Sequence, residues 1–176
     1  NQNNSNAQAF LGEMYYLGKN KARDINKAIY LLTLSANNDN TNAQFFLGKI
    51  YSEPNNKIFD INKSIYYLTL SADSSNSNAQ YYLGYLYCND EFFPHDIDKS
   101  IYYLTLSSEN ENSDATELLG EIYYKGQYVS FNINKAIYYF THASNQNNQK
   151  AQYFLGEIYY HGKYVSVDIK KSIFYL

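Results

Sequence analysis

An internal repeat of 36 residues constrains the fold of this chain more than any other feature of its sequence. The repeat runs without a gap through the 176 residues, and its five copies start at Ala7, Ala43, Ala79, Ala115 and Ala151. A second motif of the same period, Asp/Asn-Ile-x-Lys, starts at Asp24, Asp60, Asp96, Asn132 and Asp168. All 8 glycines fall in two phases of this period. Such regularity predicts a repeat architecture, in which each unit packs on its neighbours.

Each copy has the pattern of two helices. An Asn three positions before the first Ala, such as Asn40 before Ala43, predicts the N-cap of the first helix. Apolar residues then follow at i, i+4, i+7 and i+8, which is the spacing of one helical face. The Asp or Asn of the second motif predicts the N-cap of the second helix. Gly48, inside the first helix, indicates a close approach of the paired helix, and polar connectors such as NNDN and ENEN predict tight turns between units.

A single pair of such helices cannot bury its own apolar face, so neighbouring pairs must stack in a row. The sequence therefore predicts an all-α solenoid of five 36-residue helix–turn–helix repeats with one long concave face. We expect residues 1–176 to form one array. Its units lie near 4–39, 40–75, 76–111, 112–147 and 148–176. The last unit stops before the expected end of its second helix, so we expect a fragment of a longer array with an uncovered apolar face.

The repeated residues resemble Sel-one-like repeats, which are related to tetratricopeptide repeats. The fourth copy matches the family pattern at Ala115, Leu119, Gly120, Tyr123, Gly126, Val129, Lys135, Ala136, Tyr139 and Ala143. It departs from the pattern at Tyr128, which replaces a turn glycine, and the first three copies lack the Gly-Val turn. The resemblance implies a right-handed α-solenoid that acts as a protein–protein interaction scaffold or adaptor.

Composition excludes several other classes of protein. The net charge of −3 and the pI near 5.6 argue against nucleic-acid binding. The chain has no basic amphipathic face and no apolar run of membrane-spanning length, so no membrane insertion is expected. The single cysteine, Cys88, excludes an internal disulfide framework and fits a reducing compartment, so we expect a cytoplasmic protein.

No group of residues in the sequence indicates catalysis. His95, His142 and His161 lack the spacing of metal ligands, and Cys88 has no identifiable base nearby. The aspartates that recur every 36 residues are explained by helix capping. We therefore expect no enzyme activity, no metal, no cofactor and no small-molecule substrate.

A candidate binding surface lies on the first helices, opposite the side defined by Ala43, Leu47 and Tyr51. We call its central residues the ladder: Phe10, Phe46, Tyr82, Leu118 and Phe154. The flanking residues are Glu13, Lys49, Tyr85, Glu121 and Glu157, and the same side carries Asn6, Asn42, Asn78, Asp114 and Lys150. The family resemblance implies that first helices line the concave surface. An extended or helical peptide could then bind along the ladder; alternatively, these rings pack against the adjacent repeat.

A second candidate surface lies on the second helices. There, Tyr30 with Leu34, Tyr66 with Leu70, and Tyr102 with Leu106 form i, i+4 pairs away from the core face. These pairs are either an exposed interface or are buried under neighbouring segments. The leading interpretation of the chain is a non-catalytic scaffold that binds a protein or peptide on its concave face. The alternative is a structural or regulatory repeat region attached to a catalytic domain, such as a signalling kinase, in a longer chain.

Overall fold

The computed structural model describes residues 4–18, 22–89 and 91–176, and all regular structure in these ranges is helical. The helices are α1 (Ser5–Leu17), α2 (Ile25–Ala36), α3 (Thr41–Tyr51), α4 (Ile61–Asp73), α5 (Ser77–Asn89), α6 (Ile97–Glu109), α7 (Ser113–Lys125), α8 (Ile133–Asn145), α9 (Gln149–His161) and α10 (Ile169–Tyr175). Odd-numbered helices are the first helices of the repeats, and even-numbered helices are the second. The predicted all-α solenoid class of five helix-pair repeats is confirmed.

The predicted caps start the helices. In α3 the side-chain oxygen of Asn40 accepts a hydrogen bond from the Ala43 N–H at 3.0 Å. In α4 the Asp60 carboxylate accepts from the Lys63 N–H at 3.0 Å. These bonds satisfy first-turn donors that have no partner within the helix. The capping residues and their donors recur at the same positions in the other repeats, which explains the Asp/Asn-Ile-x-Lys motif.

The connectors between repeats contain a left-handed residue at one fixed position. Asp39, Ser75, Glu111 and Asn147 have φ between 55° and 62°. Asp and Asn tolerate this conformation better than most residues, which accounts for part of the polar character of the connectors. Glu111 has no such advantage, so the repeat geometry determines the backbone at this position.

The predicted close approach at the glycine of the first helix is also present. A Cβ added to Gly48 would lie 2.5 Å from Leu68 Cγ and 3.2 Å from the Leu68 backbone nitrogen. At Gly120 the added Cβ would lie 2.6 Å from two ring carbons of Phe140. The paired helix therefore fills the space above the glycine mainly with a large side chain, and any Cβ would displace it.

The chain divides into two compact units, with the boundary between His95 and Asp96. The first unit has a core in which Leu32, Leu47 and Ile50 are completely buried. The core of the second unit includes Phe140, which occupies the position of Leu32 and stacks on Phe154 at 4.7 Å between ring centroids. Each unit is thus built on the same apolar positions of the repeat.

Six of the 22 tyrosines form a parallel stack that recurs in the second, fourth and fifth repeats. Tyr51 of α3 lies parallel to Tyr67 of α4 at 6.0 Å between centroids, and the Lys63 ammonium lies 5.2 Å from the Tyr51 ring. The same stack joins Tyr123 to Tyr139 in the second unit. Such stacks contribute more than area burial alone and hold the two helices of a repeat together. No helix in the described ranges is long and apolar enough to cross a membrane.

Candidate functional site

The candidate site lies on the side of each unit formed by its first helices, which we call the inner face. The first helices of neighbouring repeats contact each other, α1 with α3 in the first unit and α7 with α9 in the second. Within each unit, and among the described residues, second helices make no comparable contact with each other. The inner face is therefore a nearly continuous helical surface within each unit, on which side chains of successive repeats lie side by side.

In the first unit the predicted ladder residues are accessible. Phe10 is 62% exposed, while Phe46 and Tyr82 are half-buried. Of the flanking residues, Tyr85 is 41% exposed and Glu13 is half-buried. Phe46 and Tyr82 pack on rings of the preceding repeat and still present part of their surface outwards, which combines the two alternatives that the sequence leaves open.

Lys49 occupies a central position on this face. Its ammonium lies 5.4 Å from the ring centroids of both Phe45 and Tyr82. The two rings meet edge to face at 6.2 Å, and the Tyr82 hydroxyl lies 3.1 Å from Ser52 Oγ. A cation between two ring faces is held by electrostatic attraction to both. Lys49 therefore joins two repeats and presents a positive charge in an aromatic setting.

A polar cluster lies at the edge of the inner face, near the C-terminal end of α1. The Tyr16 hydroxyl donates to Glu53 at 2.7 Å, and the Arg23 guanidinium pairs with the same carboxylate at 2.6 Å. Burial raises the pKa of Tyr16, and the hydrogen bond to Glu53 raises it further. Phe46 packs edge to face on the Tyr16 ring at 5.9 Å. The cluster thus fixes the end of the aromatic strip formed by Tyr16, Phe46, Phe45 and Tyr82.

A row of amides lies at the N-terminal end of the first helices. The Asn40 side-chain amide donates to Asn6 Oδ1 at 2.8 Å, and Asn76 donates in the same way to Asn42 Oδ1 at 3.2 Å. Each of these bonds connects adjacent repeats. In the second unit Asn148 makes the equivalent bond at 3.1 Å, but its acceptor is the carboxylate of Asp114.

The second unit presents a different inner face. Leu118 and Phe154 of the ladder are half-buried, as is Glu157, which lies 3.3 Å from His161. Glu121 is only 5% exposed, so it lies beneath the surface that its helical phase predicts. A cluster of charges therefore lies within this face, beside the half-buried Leu118.

Glu121 belongs to a buried cluster of charges that links two repeats. Glu117 and Glu121 of α7 are 6% and 5% exposed. Lys150 of α9 lies 3.1 Å from Glu117 and also pairs with Glu121, which pairs in addition with Lys125. Lys150 occupies the position of Asn6 and Asp114 in earlier repeats, so this inter-repeat ion pair is specific to the last two repeats.

The two carboxylates of the cluster have opposite electrostatic environments. Burial raises the pKa of Glu117, and the neighbouring Glu121 raises it further. Burial also acts to raise the pKa of Glu121, but hydrogen bonds from Lys125 and Lys150 outweigh this effect and lower it. Glu121 is thus the stable anion of the pair, whereas Glu117 takes up a proton more readily than an ordinary carboxylate.

The ladder pattern missed a neighbouring column of residues. Phe45, one position before Phe46, is half-buried and contacts both Lys49 and Tyr82, while Tyr153 is 54% exposed and therefore more open than Phe154. The sequence signal was an aromatic residue directly before the ladder position in three of the five repeats. On a helical wheel this column lies about 100° from the ladder. An argument based only on the side opposite the core therefore left it out.

The second-helix side of the repeats, which we call the outer face, exposes its aromatic residues. Tyr30 and Tyr66 of the first unit are 65% and 59% exposed, and Tyr102 and Tyr138 of the second are 58% and 66% exposed. Their partners Leu34, Leu70 and Leu106 are half-buried. These tyrosines are thus available at the surface, and their hydroxyl groups suit them to contact with water.

The side chains considered for chemistry lie on different elements, with Cys88 in α5, His95 in the turn before α6, His142 in α8 and His161 in α9. His95, His142 and His161 are exposed, and Cys88 is buried with its Sγ 2.8 Å from the Asn89 side-chain nitrogen. Within the described ranges, no three His, Cys, Asp or Glu side chains come together in a group that could hold a metal ion.

Comparison with known proteins found a matching repeat family and solved structures with a similar fold. The Sel1 repeat profile matches residues 5–40, 41–76, 77–112, 113–148 and 149–176. The fold resembles the crystal structure of a Sel1 repeat protein from Oxalobacter formigenes, with a TM-score of 0.87, 26% identity, and coverage of 98% of this chain and 71% of that one. It also resembles a protective antigen with an SLR fold, present in uropathogenic Escherichia coli strains, with a TM-score of 0.85 and 29% identity. This chain is covered to 98% in that alignment but spans only 37% of the antigen.

A comparison with curated proteins found no match. Sel1 repeat proteins are generally non-catalytic scaffolds that bind other proteins. The five profile matches, the helix pairs of each repeat and the glycine contacts agree with the resemblance deduced from the repeated residues, and on these grounds the chain belongs to the Sel1 repeat family.

Proposed function

We propose that this chain is a non-catalytic scaffold that binds a peptide or a protein segment on the inner face of its first helices. The observation that supports the proposal most strongly is the aromatic strip of the first unit. It is partly exposed and contains Lys49 held between the Phe45 and Tyr82 rings, and Phe10 of the first repeat is also exposed. Accessible aromatic anchors next to a charge are typical of the residues that contribute most to protein binding.

The proposal is supported physically because binding to this surface would cost little side-chain entropy. Its rings are already held by edge-to-face contacts with neighbouring rings, so a ligand would not have to order them. Burying the exposed part of an aromatic side chain contributes about 25 cal/mol per Å² of apolar area. A partner that covers Phe10 and the aromatic strip would gain from each exposed ring.

The proposal is tested by an affinity pull-down with quantitative mass spectrometry. The inner-face variant carries Phe10→Ser and Tyr85→Ser, and the matched control carries Tyr30→Ser and Tyr66→Ser on the outer face of the same unit. All four side chains are more than 40% exposed, so both variants should retain their helicity, which circular dichroism checks.

We expect the inner-face variant to lose partners that the wild-type chain and the outer-face control retain. Partners lost only from the outer-face control would contradict the proposal and assign binding to the outer tyrosines. Identical sets of partners for all three proteins would also contradict it.

A further inference from the structure

In the first unit, hydrogen-bonding chemistry alone determines which way each side-chain amide of the asparagine row is oriented. The Asn40 side chain accepts a hydrogen bond from the Ala43 N–H at 3.0 Å. A backbone N–H can only donate, so the accepting atom is the amide oxygen, and the other end of the amide is the NH₂ group. This NH₂ group faces Asn6 at 2.8 Å, so Asn6 must present its own oxygen to it. The NH₂ group of Asn6 consequently points away from the contact.

The next repeat repeats the arrangement. Asn76 accepts from the Ala79 N–H at 3.1 Å and donates to Asn42 Oδ1 at 3.2 Å. Both Asn6 and Asn42 are exposed, and neither Nδ2 has an acceptor among the described residues. Each amide is therefore held at its oxygen end, while its two N–H donors remain available in a fixed direction. Pre-orientation of this kind lowers the entropic cost of binding a ligand.

The second unit shows that the fold does not need these donors. Asn148 makes the same inter-repeat bond to Asp114, at 3.1 Å, although an ionised Asp has acceptors only. An oxygen at this position is thus sufficient to join two repeats. The NH₂ groups of Asn6 and Asn42 contribute nothing to that bond, so they are surplus to the packing of the first unit.

We propose that the Nδ2 groups of Asn6 and Asn42 donate hydrogen bonds to main-chain carbonyls of a peptide in a polyproline II-like conformation. The inference rests on the proposed function and specifies its ligand. Asn78 occupies the same position in the third repeat and is also exposed, so it extends the row. Glu13 and Lys49 of this face have opposite charges and the whole chain carries a net charge of −3, so a neutral carbonyl suits these donors better than an anion does.

The spacing of the repeats selects the peptide conformation. Neighbouring packed helices lie about 8–10 Å apart, which sets the distance between successive asparagines. A polyproline II helix has three residues per turn and rises about 3.1 Å per residue, so every third carbonyl points to the same side at roughly 9 Å intervals. A β-strand repeats on one side every two residues, at about 6.6 Å, and does not match.

The surroundings of the amides suit the same ligand. On α3, Asn42 lies one turn before Phe46 and two turns before Lys49, so the donors and the aromatic strip share one helical face. Proline-rich and other polyproline II segments bind grooves lined by aromatic side chains, where rings pack on the peptide side chains while polar groups contact its backbone. The inner face of the first unit presents both elements along one direction.

The test uses a phage-displayed library of random linear peptides of about 12 residues, which would span roughly 37 Å as polyproline II. Peptides are selected on the intact 176-residue chain. Their affinities are then measured for the wild type, for Asn42→Asp and for Asn62→Asp. Asn42→Asp keeps the oxygen that accepts from Asn76 but removes the donor, as Asp114 does in the second unit. Asn62→Asp adds the same charge at an exposed position of α4, where the third repeat naturally has Asp98.

We expect Asn42→Asp to weaken binding roughly tenfold, as for the loss of about one hydrogen bond, and Asn62→Asp to change it less than about twofold. Measurements at about 0.5 M salt remove most of the long-range effect of the added charge. Replacing single peptide amides with esters, which weakens the carbonyl as an acceptor, should reduce binding to the wild type at positions three residues apart. The same esters should have little effect on Asn42→Asp, since coupled partners are non-additive.

Two results would overturn the inference, and they differ in what they say of the proposed function. Peptides that bind Asn42→Asp as tightly as the wild type, but lose affinity for the Phe10→Ser and Tyr85→Ser variant, would contradict the amide contacts and leave inner-face binding intact. Failure to select any peptide that depends on the inner face would contradict both.

Discussion

The two units of the chain share one backbone plan but differ in what their inner faces present. In the first unit, Asn6 and Asn42 hold exposed amide donors beside an aromatic strip with Lys49 between two rings. In the second, the equivalent positions carry Asp114 and Lys150, and Lys150 is engaged by two buried carboxylates. The same helical position joins adjacent repeats in both units, but it leaves amide donors at the surface in the first and carries charged side chains in the second.

The two units show how a repeat protein can vary its surface without altering its fold. The residues that recur in every copy are caps, glycines and small or apolar core positions, and they maintain the helix pairs. The residues of the inner face lie outside this set and change from copy to copy. Binding and packing can consequently be separated by mutation, since a substitution on the inner face has a different cost in each unit.

The largest expected difference in stability is between Lys150→Met and Lys49→Met. Lys150→Met removes the cation shared by Glu117 and Glu121 and leaves two buried carboxylates with Lys125 alone. Removing one partner of a buried ion pair is strongly destabilising, but the Lys150 side chain is 58% exposed, so we expect a loss of about 2 kcal/mol. Lys49→Met should cost less than about 1 kcal/mol, the usual value of an exposed cation–π contact. Denaturant unfolding measures both, and equal losses would contradict the distinction between the units.

A smaller effect is expected from Glu117→Gln, and it should depend on pH. A raised folded-state pKa means that the folded protein holds a proton that the unfolded chain releases more easily. The stability that this proton contributes is complete below the pKa of Glu117 in the unfolded chain, and it is lost as the pH rises through the pKa of Glu117 in the folded protein. Gln mimics the protonated form, so the variant should match the wild type near pH 5 and exceed its free energy of unfolding by roughly 1 kcal/mol near pH 8.

The measurement is the free energy of unfolding of both proteins at the two pH values. Glu13→Gln in the first unit is the control, because Glu13 is only half-buried and its carboxylate lies outside the buried cluster. A pH-independent difference between Glu117→Gln and the wild type would show that Glu117 keeps its charge throughout, against the expectation.

The smallest effect on stability is expected for Asn42→Asp. The oxygen that accepts from Asn76 remains, and a carboxylate in the first turn of α3 interacts favourably with the helix dipole. The free energy of unfolding should therefore change by less than about 0.5 kcal/mol. A loss of more than about 1.5 kcal/mol, as for a broken hydrogen bond, would mean that the amide group supports the packing of the first unit.

The sequence predicted the features of the fold that repeat. Each copy supports the others, so the sequence alone identifies Asn40 and Asp60 as caps and Gly48 as a point of close approach. The glycine contact shows the limit of this reasoning, because the repeat revealed that space was scarce but not that the Leu68 side chain filled it.

The features that occur once were not predictable from the repeat. Glu121 falls in the phase of the flanking residues, yet it is buried, because Lys150 from the next repeat covers it and Glu117 lies beside it. Phe45 lies outside the ladder but contacts Lys49 across the surface. The burial of Glu121 and the contact of Phe45 each depend on two side chains at different positions of the repeat. A periodic pattern shows which residue recurs at one position, but not which positions contact each other.

The most direct test of the difference between the units is a nuclear magnetic resonance titration of the ¹⁵N-labelled chain with a library-selected peptide. The side-chain NH₂ signals of Asn6 and Asn42 should shift on binding, whereas the signal of Asn62 on the outer face should not. Shifts confined to the second unit, with the signals of Asn6 and Asn42 unchanged at saturation, would contradict the account that the first unit presents the peptide-binding surface.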